Sequence, residues 1–278
     1  MQRITSSDQQ NEQINIKEIN HLSDQEQAER IADKFYSIPN EYEALKMEDI
    51  IIPPFNAKDI PQFHLSQVWL HLTQLKTNKA TVPGDFPAKL TKEFAAYIAE
   101  PLTDIINSGV RRGEYPKLYK FENCTPVPKS YPPKTTAEVR NISGLFTFDK
   151  IMEKLIFKLI ISDMRDNIDP SQYGNQKGVS IEHYLINVVH RILIALDNNS
   201  RKDTFAVVAS LLDWNNAFPC QCPKLSVKSF IQNCVRPVLI PVLINFSQIE
   251  KCQSSGMAVS LFQERSREVV LKALCLAY

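Results

Sequence analysis

The sequence predicts an α+β fold in which helices dominate and strands are few. Three observations lead there. Apolar residues recur at three- and four-residue spacing over several long stretches, the pattern of amphipathic helices. One run, 205–212, is apolar at both parities, as expected of a central strand covered on both faces. Seventeen prolines cluster at 53–61, 83–87, 126–133 and 219–241, where they punctuate helices and stiffen turns.

Composition narrows the class. The 278 residues are 44% hydrophobic and 23% charged, enough apolar material for a substantial core. A net charge of +1 gives no overall pull toward nucleic acid or anionic membrane, so any basic site must be local. No uncharged apolar run reaches the ~18 residues a spanning helix needs, and no membrane association is expected. The start, Met-Gln-Arg-Ile-Thr-Ser-Ser-Asp, lacks the apolar stretch of a secretory signal. An intracellular location follows as an expectation, nucleus or cytoplasm, with the six cysteines as reduced thiols. None of the seven glycines has phosphate-loop spacing.

The elements follow in order. Residues 1–25 are rich in Gln, Asn and Ser and read as a flexible arm. A helix over 24–37 is opened by Ser23, with Glu26 at capping-box spacing. Residues 51–61 form an extended linker. Leu65, Val68, Trp69, Leu72 and Leu75 mark the next helix, which 77–87 terminates. Another starts near Pro87 and presents Leu90, Phe94 and Ile98. Leu102, Ile105, Ile106 and Val110 make a further short one.

The prolines of 123–134 forbid a helix there; its first part suits an edge strand carrying Lys129 outward. Residues 140–145 read as a loop. Two strong amphipathic helices follow: Phe148, Ile151, Met152, Leu155, Ile156, Leu159 and Ile160 mark one, and Ile181 to Leu196, with Ser180 as N-cap, the other. Residues 225–235 and 239–245 read as short helices.

Asp213 stands where the buried strand ends. A carboxylate there needs a cation or donors to offset its desolvation, so it is the leading metal-ligand candidate; on local pattern alone a turn-capping Asp explains it as well. Cys220, Cys222 and Cys234 lack the second close pair of a zinc site. His183 and His190 lie seven apart, not the four of a helical metal pair. Lys76, Lys79, Lys89 and Lys92 form a local basic cluster, either a solvated face or a contact for a phosphate backbone.

Five ordered blocks carry a resemblance: Thr-Asn-Lys-Ala-Thr-Val-Pro-Gly-Asp-Phe-Pro (77–87, running on to Leu90), Val-Arg-Asn-Ile-Ser-Gly-Leu (139–145, after Cys-Thr-Pro-Val-Pro-Lys-Ser-Tyr-Pro-Pro at 124–133), Phe-Asp-Lys-Ile-Met-Glu-Lys-Leu-Ile (148–156), Ser-Gln-Tyr-Gly-Asn-Gln-Lys-Gly-Val-Ser-Ile-Glu-His-Tyr-Leu (171–185) and Leu-Leu-Asp-Trp-Asn-Asn-Ala-Phe-Pro (211–219). In this order they resemble the reverse transcriptase domain of non-LTR, LINE-like retrotransposons, over roughly 28–245. The resemblance implies a partial right-hand polymerase, with helix-rich fingers and an incomplete palm. It implies RNA-directed DNA synthesis as the family activity, RNA template and DNA primer as partners, and deoxynucleoside triphosphates as substrates.

Carried over residue by residue, Asp213 would be catalytic and hold Mg²⁺ in a two-metal displacement. Lys129 and Arg140 would grip the triphosphate. Ala217 would leave room for it, and Phe218 would exclude a 2′-hydroxyl. Gln172 and Gly174 would lie along the template. Each has a plainer reading: a surface lysine, a solvated arginine, a core phenylalanine, a turn.

The second carboxylate block that the resemblance requires is missing. No Asp-Asp occurs, and no aspartate follows Asp213. Since metal neutralisation of phosphoryl oxygens dominates such transfers, the chain is expected to lack polymerase activity alone. The similarity stops near 246, as after a frameshift or gene-model junction. The resulting division is a flexible arm (1–25), an N-terminal helical region (26–135), fingers and the first part of a palm (136–245), and a divergent tail (246–278). The rival expectations are a nucleic-acid-binding relic without catalysis and a structural or interaction protein.

Overall fold

A computed structural model describes residues 16–36, 45–79, 81–82, 84–120, 122–174, 176, 178–197, 207–212 and 222–247. Within them helices dominate and the only sheet has two strands, which agrees with α+β at that level. The helices are α1 (Asp24–Tyr36), α2 (Leu65–Thr73), α3 (Ala88–Glu93), α4 (Ala95–Arg112), α5 (Thr147–Met164), α6 (Ile181–Asp197), α7 (Pro223–Gln232) and α8 (Leu239–Ser247). The strands are β1 (Glu122–Pro128) and β2 (Val139–Leu145).

One apolar core joins α2, α4, α5, α7 and α8. Leu72, Ile106, Met152, Leu155, Phe230 and Ile240 are all fully enclosed in it. Each such side chain contributes roughly 1.5–3 kcal/mol by leaving water. α8 is buried nearly all round (Leu239, Ile240, Val242, Leu243, Ile244 and Phe246), as a helix must be at the centre of a core. Polar side chains tie the elements together. Asn245 of α8 accepts the Tyr115 N–H at 2.8 Å. Asn107 of α4 accepts from and donates to the backbone of Phe63 at 2.8 and 3.0 Å. Tyr115 donates its hydroxyl to the buried Asp149 of α5 at 2.5 Å.

Helix ends follow their local chemistry. Ser23 and Glu26 form the predicted capping box: Ser23 N–H donates to Glu26 Oε2 at 2.9 Å and Glu26 N–H to Ser23 Oγ at 3.4 Å. The Ser23 hydroxyl bond holds the Glu26 carboxyl below its ordinary range. α4 ends in a Schellman motif, with Gly113 in the left-handed region at φ 70° and the Glu114 N–H reaching the Gly109 carbonyl at 2.9 Å.

α5 is capped from a distance. Asp85 accepts the Thr147 N–H at 2.8 Å and its hydroxyl at 2.7 Å. This also places a carboxylate at the positive end of the helix dipole. Asp85→Ala should cost about 1–2 kcal/mol, the usual range for a lost N-cap, read as a lower urea midpoint at unchanged slope.

Several expectations are corrected. Residues 140–145 are not a loop but most of β2, paired antiparallel with β1 from Glu122↔Leu145 to Pro128↔Val139. Cross-strand backbone bonding overrides a local sequence of weak strand character. The helix boundary lies at Phe94 rather than before Leu102, and Pro101 sits inside the 18-residue α4. α3 does start near Pro87 as expected, with Pro87 as its N-cap.

Residues 16–22, expected in the flexible arm, pack on the hairpin. Ile16 and Ile19 are buried against Val139, and Glu18 accepts the Thr136 N–H at 2.8 Å. The run expected as a central strand is exposed and in no regular structure over 207–212: Leu211 and Leu212 are 88% and 87% accessible. No strand among the described residues lies beside it to take its backbone hydrogen bonds. α6 forms as expected, yet none of its residues is buried. No helix among the described residues is long and apolar enough to cross a membrane.

Candidate nucleotide-binding hairpin

The β1–β2 hairpin gathers two of the predicted site residues. In its register Val127 faces Arg140 and Pro128 faces Val139; just beyond the ladder Lys129 meets Glu138, its N–H donating to the Glu138 carbonyl at 2.6 Å. Alternate pairs of an antiparallel ladder share a face. Lys129, Glu138 and Arg140 therefore lie on one side of the hairpin, while buried Val139 faces Ile16 and Ile19 on the other. The turn carries a cis Tyr131–Pro132 bond.

The electrostatics of this face are specific. Arg140 is exposed, and among the described residues nothing engages its guanidinium. Its planar fork of donors is free to take two oxygens of a phosphate or carboxylate. Lys129 is exposed too, but its Nζ donates to the Ala137 carbonyl at 3.0 Å, so it must swing off its own turn to meet a ligand. Glu138 is the cross-strand partner of Lys129, and its carboxylate bonds into the turn. It accepts the Lys134 N–H at 3.0 Å and the Ser130 hydroxyl at 3.2 Å, and the backbone bond to Lys134 holds its carboxyl below the ordinary range. The face thus carries two exposed cations, with Arg140 the better placed to hold a multiply charged anion.

Gln172 and Gly174 lie in the turn that leads to α6. Gln172 donates from Nε2 to the Gly174 carbonyl at 3.2 Å and accepts from Gln176 Nε2 at 2.6 Å. Gly174 does not have positive φ, and a Cβ there would meet only Gln172 Nε2 at 3.6 Å. The fold does not demand a glycine at 174; the position simply leaves open space. Tyr173 ties this turn to α6, stacking edge-on against Tyr184 at 5.6 Å and accepting from Asn187 Nδ2.

Asp213, Ala217 and Phe218 lie outside the described residues, as do Cys220 and the tail from 248 onward. Cys222 and Cys234 are free thiols, and among the described residues no three His, Cys, Asp or Glu side chains gather to hold a metal ion. The described aspartates in the core region are committed elsewhere: Asp85 to Thr147, Asp149 to Tyr115, Asp163 to Arg236. They supply no cradle for Mg²⁺, and no chemical step through a metal follows from them. His183 is a capping residue, its Nδ1 accepting the Ser180 N–H at 3.0 Å.

Two cavities stand apart from the hairpin. One, about 590 Å³, is almost wholly apolar, lined by Phe86, Leu90, Phe94, Tyr97, Tyr119 and Phe148. Burial there pushes the Tyr119 hydroxyl up to about 12. The other, about 640 Å³, mixes Asp104, Arg112, Glu114 and Lys117 with Asn245. Sequence reading missed the aromatic groove, although the spacing of Leu90 and Phe94 announced an apolar face; what it could not foretell was that this face remains open.

No protein-family model matches the chain, and no curated protein matches it.

Proposed function

We propose that this chain is a portion of a reverse-transcriptase-like polymerase whose hairpin cations hold the phosphates of a deoxynucleoside triphosphate, and that alone it binds without completing nucleotidyl transfer. The observation that carries the reading is the shared face of Lys129 and Arg140 on β1–β2. The two residues assigned to the triphosphate by the resemblance sit 11 positions apart in sequence and two ladder steps apart in space.

Two further features agree with it. The block 77–90 caps the helix that carries the block 148–156, through the bonds of Asp85 to Thr147. The exposed run 207–212 also suits a strand whose sheet neighbours are not among the described residues. RNA template and DNA primer are the macromolecular partners in this reading, and Mg²⁺ its metal, through Asp213.

The test is triphosphate binding to the full chain, followed by displacement of a fluorescent deoxynucleotide at low salt. Arg140→Ala should weaken binding about tenfold or more, since a hydrogen bond to a charged group is worth roughly 1.5–3 kcal/mol. Lys129→Ala should act less, because that lysine first gives up its bond to Ala137. Equal binding by parent and Arg140→Ala would remove the reading.

A further inference from the structure

The aromatic groove beside α3 and α4 is left open by the described fold, and the proposed function does not use it. Its long wall is α4 with the residue that precedes it: Phe94, Tyr97, Ile98, Pro101, Leu102 and Ile105 recur at three- and four-residue spacing, over roughly 17 Å of helix. Phe86 and Phe148, with ring centroids 6.3 Å apart, add to the lining. Phe86, Phe94 and Tyr97 are 64%, 53% and 79% exposed. A contiguous aromatic surface left in water at this level marks a place that another apolar surface covers.

The border of the groove is charged on one side only. Ala95 and Ala99 bury one edge of α4 in the core. The other edge carries Tyr97 and, three and seven positions on, Glu100 and Asp104, both exposed. An occupant that brings an apolar stripe flanked by cations fits this wall.

The described chain ends close by. Asn245 stands two residues before Ser247, the last described residue, and lines the polar cavity of about 640 Å³. Ile105 lines both that cavity and the groove. The sequence that follows, 248–278, carries one amphipathic pattern: Phe262, Val269, Val270, Ala273, Leu276 and Ala277 share a stripe at helical spacing, interrupted by Ser266. Arg265 and Lys272, seven apart, run along one edge of that stripe, while Glu264 and Glu268 fall on the far side. Residues 248–261 span up to about 46 Å when extended, more than the roughly 27 Å of α4, so the stripe can be laid along the groove from where the chain leaves α8. Tethering also gives it an effective concentration on the order of millimolar, ahead of a partner free in solution.

We propose that the segment 262–277 of this chain covers the aromatic groove, with its apolar stripe on Phe94, Tyr97 and Ile105 and with Arg265 and Lys272 against Glu100 and Asp104. This goes beyond the proposed function: it uses neither hairpin cation and holds whether or not the hairpin takes a triphosphate.

The test is cross-linking within the full chain by a short bis-maleimide, mapped by peptide mass spectrometry, with the native Cys275 as the thiol of the segment. Glu93→Cys puts a second thiol at the exposed end of α3, at the end of the groove away from Asn245. It should link to Cys275 several-fold more than does Glu182→Cys, an exposed position on α6. Adding Val269→Asp and Leu276→Asp should lower the yield about tenfold or more, since each removes an apolar side chain from a buried contact. Glu100→Lys with Asp104→Lys should lower it several-fold, and adding Arg265→Glu with Lys272→Glu should restore it, a recovery that damage to folding does not produce. Equal linking from position 182, a yield indifferent to Val269→Asp and Leu276→Asp, or links between two chains instead of within one would each overturn the proposal.

Discussion

Gly113→Ala should destabilise the chain by about 2–5 kcal/mol, combining a left-handed backbone cost of ~1–2 with an overpacking cost of ~1–3. Both contributions are visible in the structure. Gly113 closes α4 at φ 70°, a conformation L side chains rarely adopt. A Cβ built there would stand 2.5 Å from Pro241 Cβ in α8, so α8 itself would have to move. α8 is the most enclosed helix of the core, and its Asn245 holds the segment after α4. Displacing it disturbs both. Gly113→Asn separates the two contributions, because asparagine tolerates the left-handed region but still meets Pro241. It should fall between parent and alanine in urea denaturation. Parent-like stability in Gly113→Ala would mean that α8 does not press on this corner.

Asp163→Ala should cost about 2–4 kcal/mol, by breaking a partly buried charge pair with excellent geometry. Arg236 donates to Asp163 three times: from its backbone N–H at 2.9 Å, from Nε at 2.8 Å and from Nη2 at 2.6 Å. The carboxylate side chain is only 12% exposed. This clamp fixes the approach to α8 against the last turn of α5. The hydrogen bonds to Asp163 raise the Arg236 guanidinium above its ordinary range. Asp163→Asn keeps the shape and loses the charge, and should cost less. A double-mutant cycle with Arg236→Ala isolates the coupling, which should exceed the roughly 0.2–1 kcal/mol of an exposed surface pair. Coupling near zero would reduce the clamp to a surface contact.

The helices were legible in the sequence for one reason: long apolar periods leave little choice about which side faces in. α2, α5, α7 and α8 follow that pattern closely, and Ser23 with Glu26 marked the start of α1. Features that depend on distant partners were not legible. Arg-Asn-Ile-Ser-Gly-Leu carries no strand signal by itself; it becomes β2 because β1 offers its backbone. The cap on Thr147 comes from Asp85, 62 positions away. Pro101 inside α4 contradicts the usual reading of a proline as a helix boundary. The period of α6 identified its apolar side but not what covers it, and every residue of that helix is at least partly accessible.

The candidate site divides in the same way. Lys129 and Arg140 were both singled out, but their shared face emerges only once 140–145 is a strand in register with β1. Gln172 and Gly174 were placed in a turn, and a turn is what they form.

The most direct measurement of the central claim, nucleotide holding without completed transfer, is primer extension by the full chain on an RNA template with Mg²⁺ or Mn²⁺, run beside deoxynucleotide binding. The account predicts triphosphate binding that Arg140→Ala weakens and no extended primer. Template-directed synthesis that Asp213→Ala abolishes would contradict it.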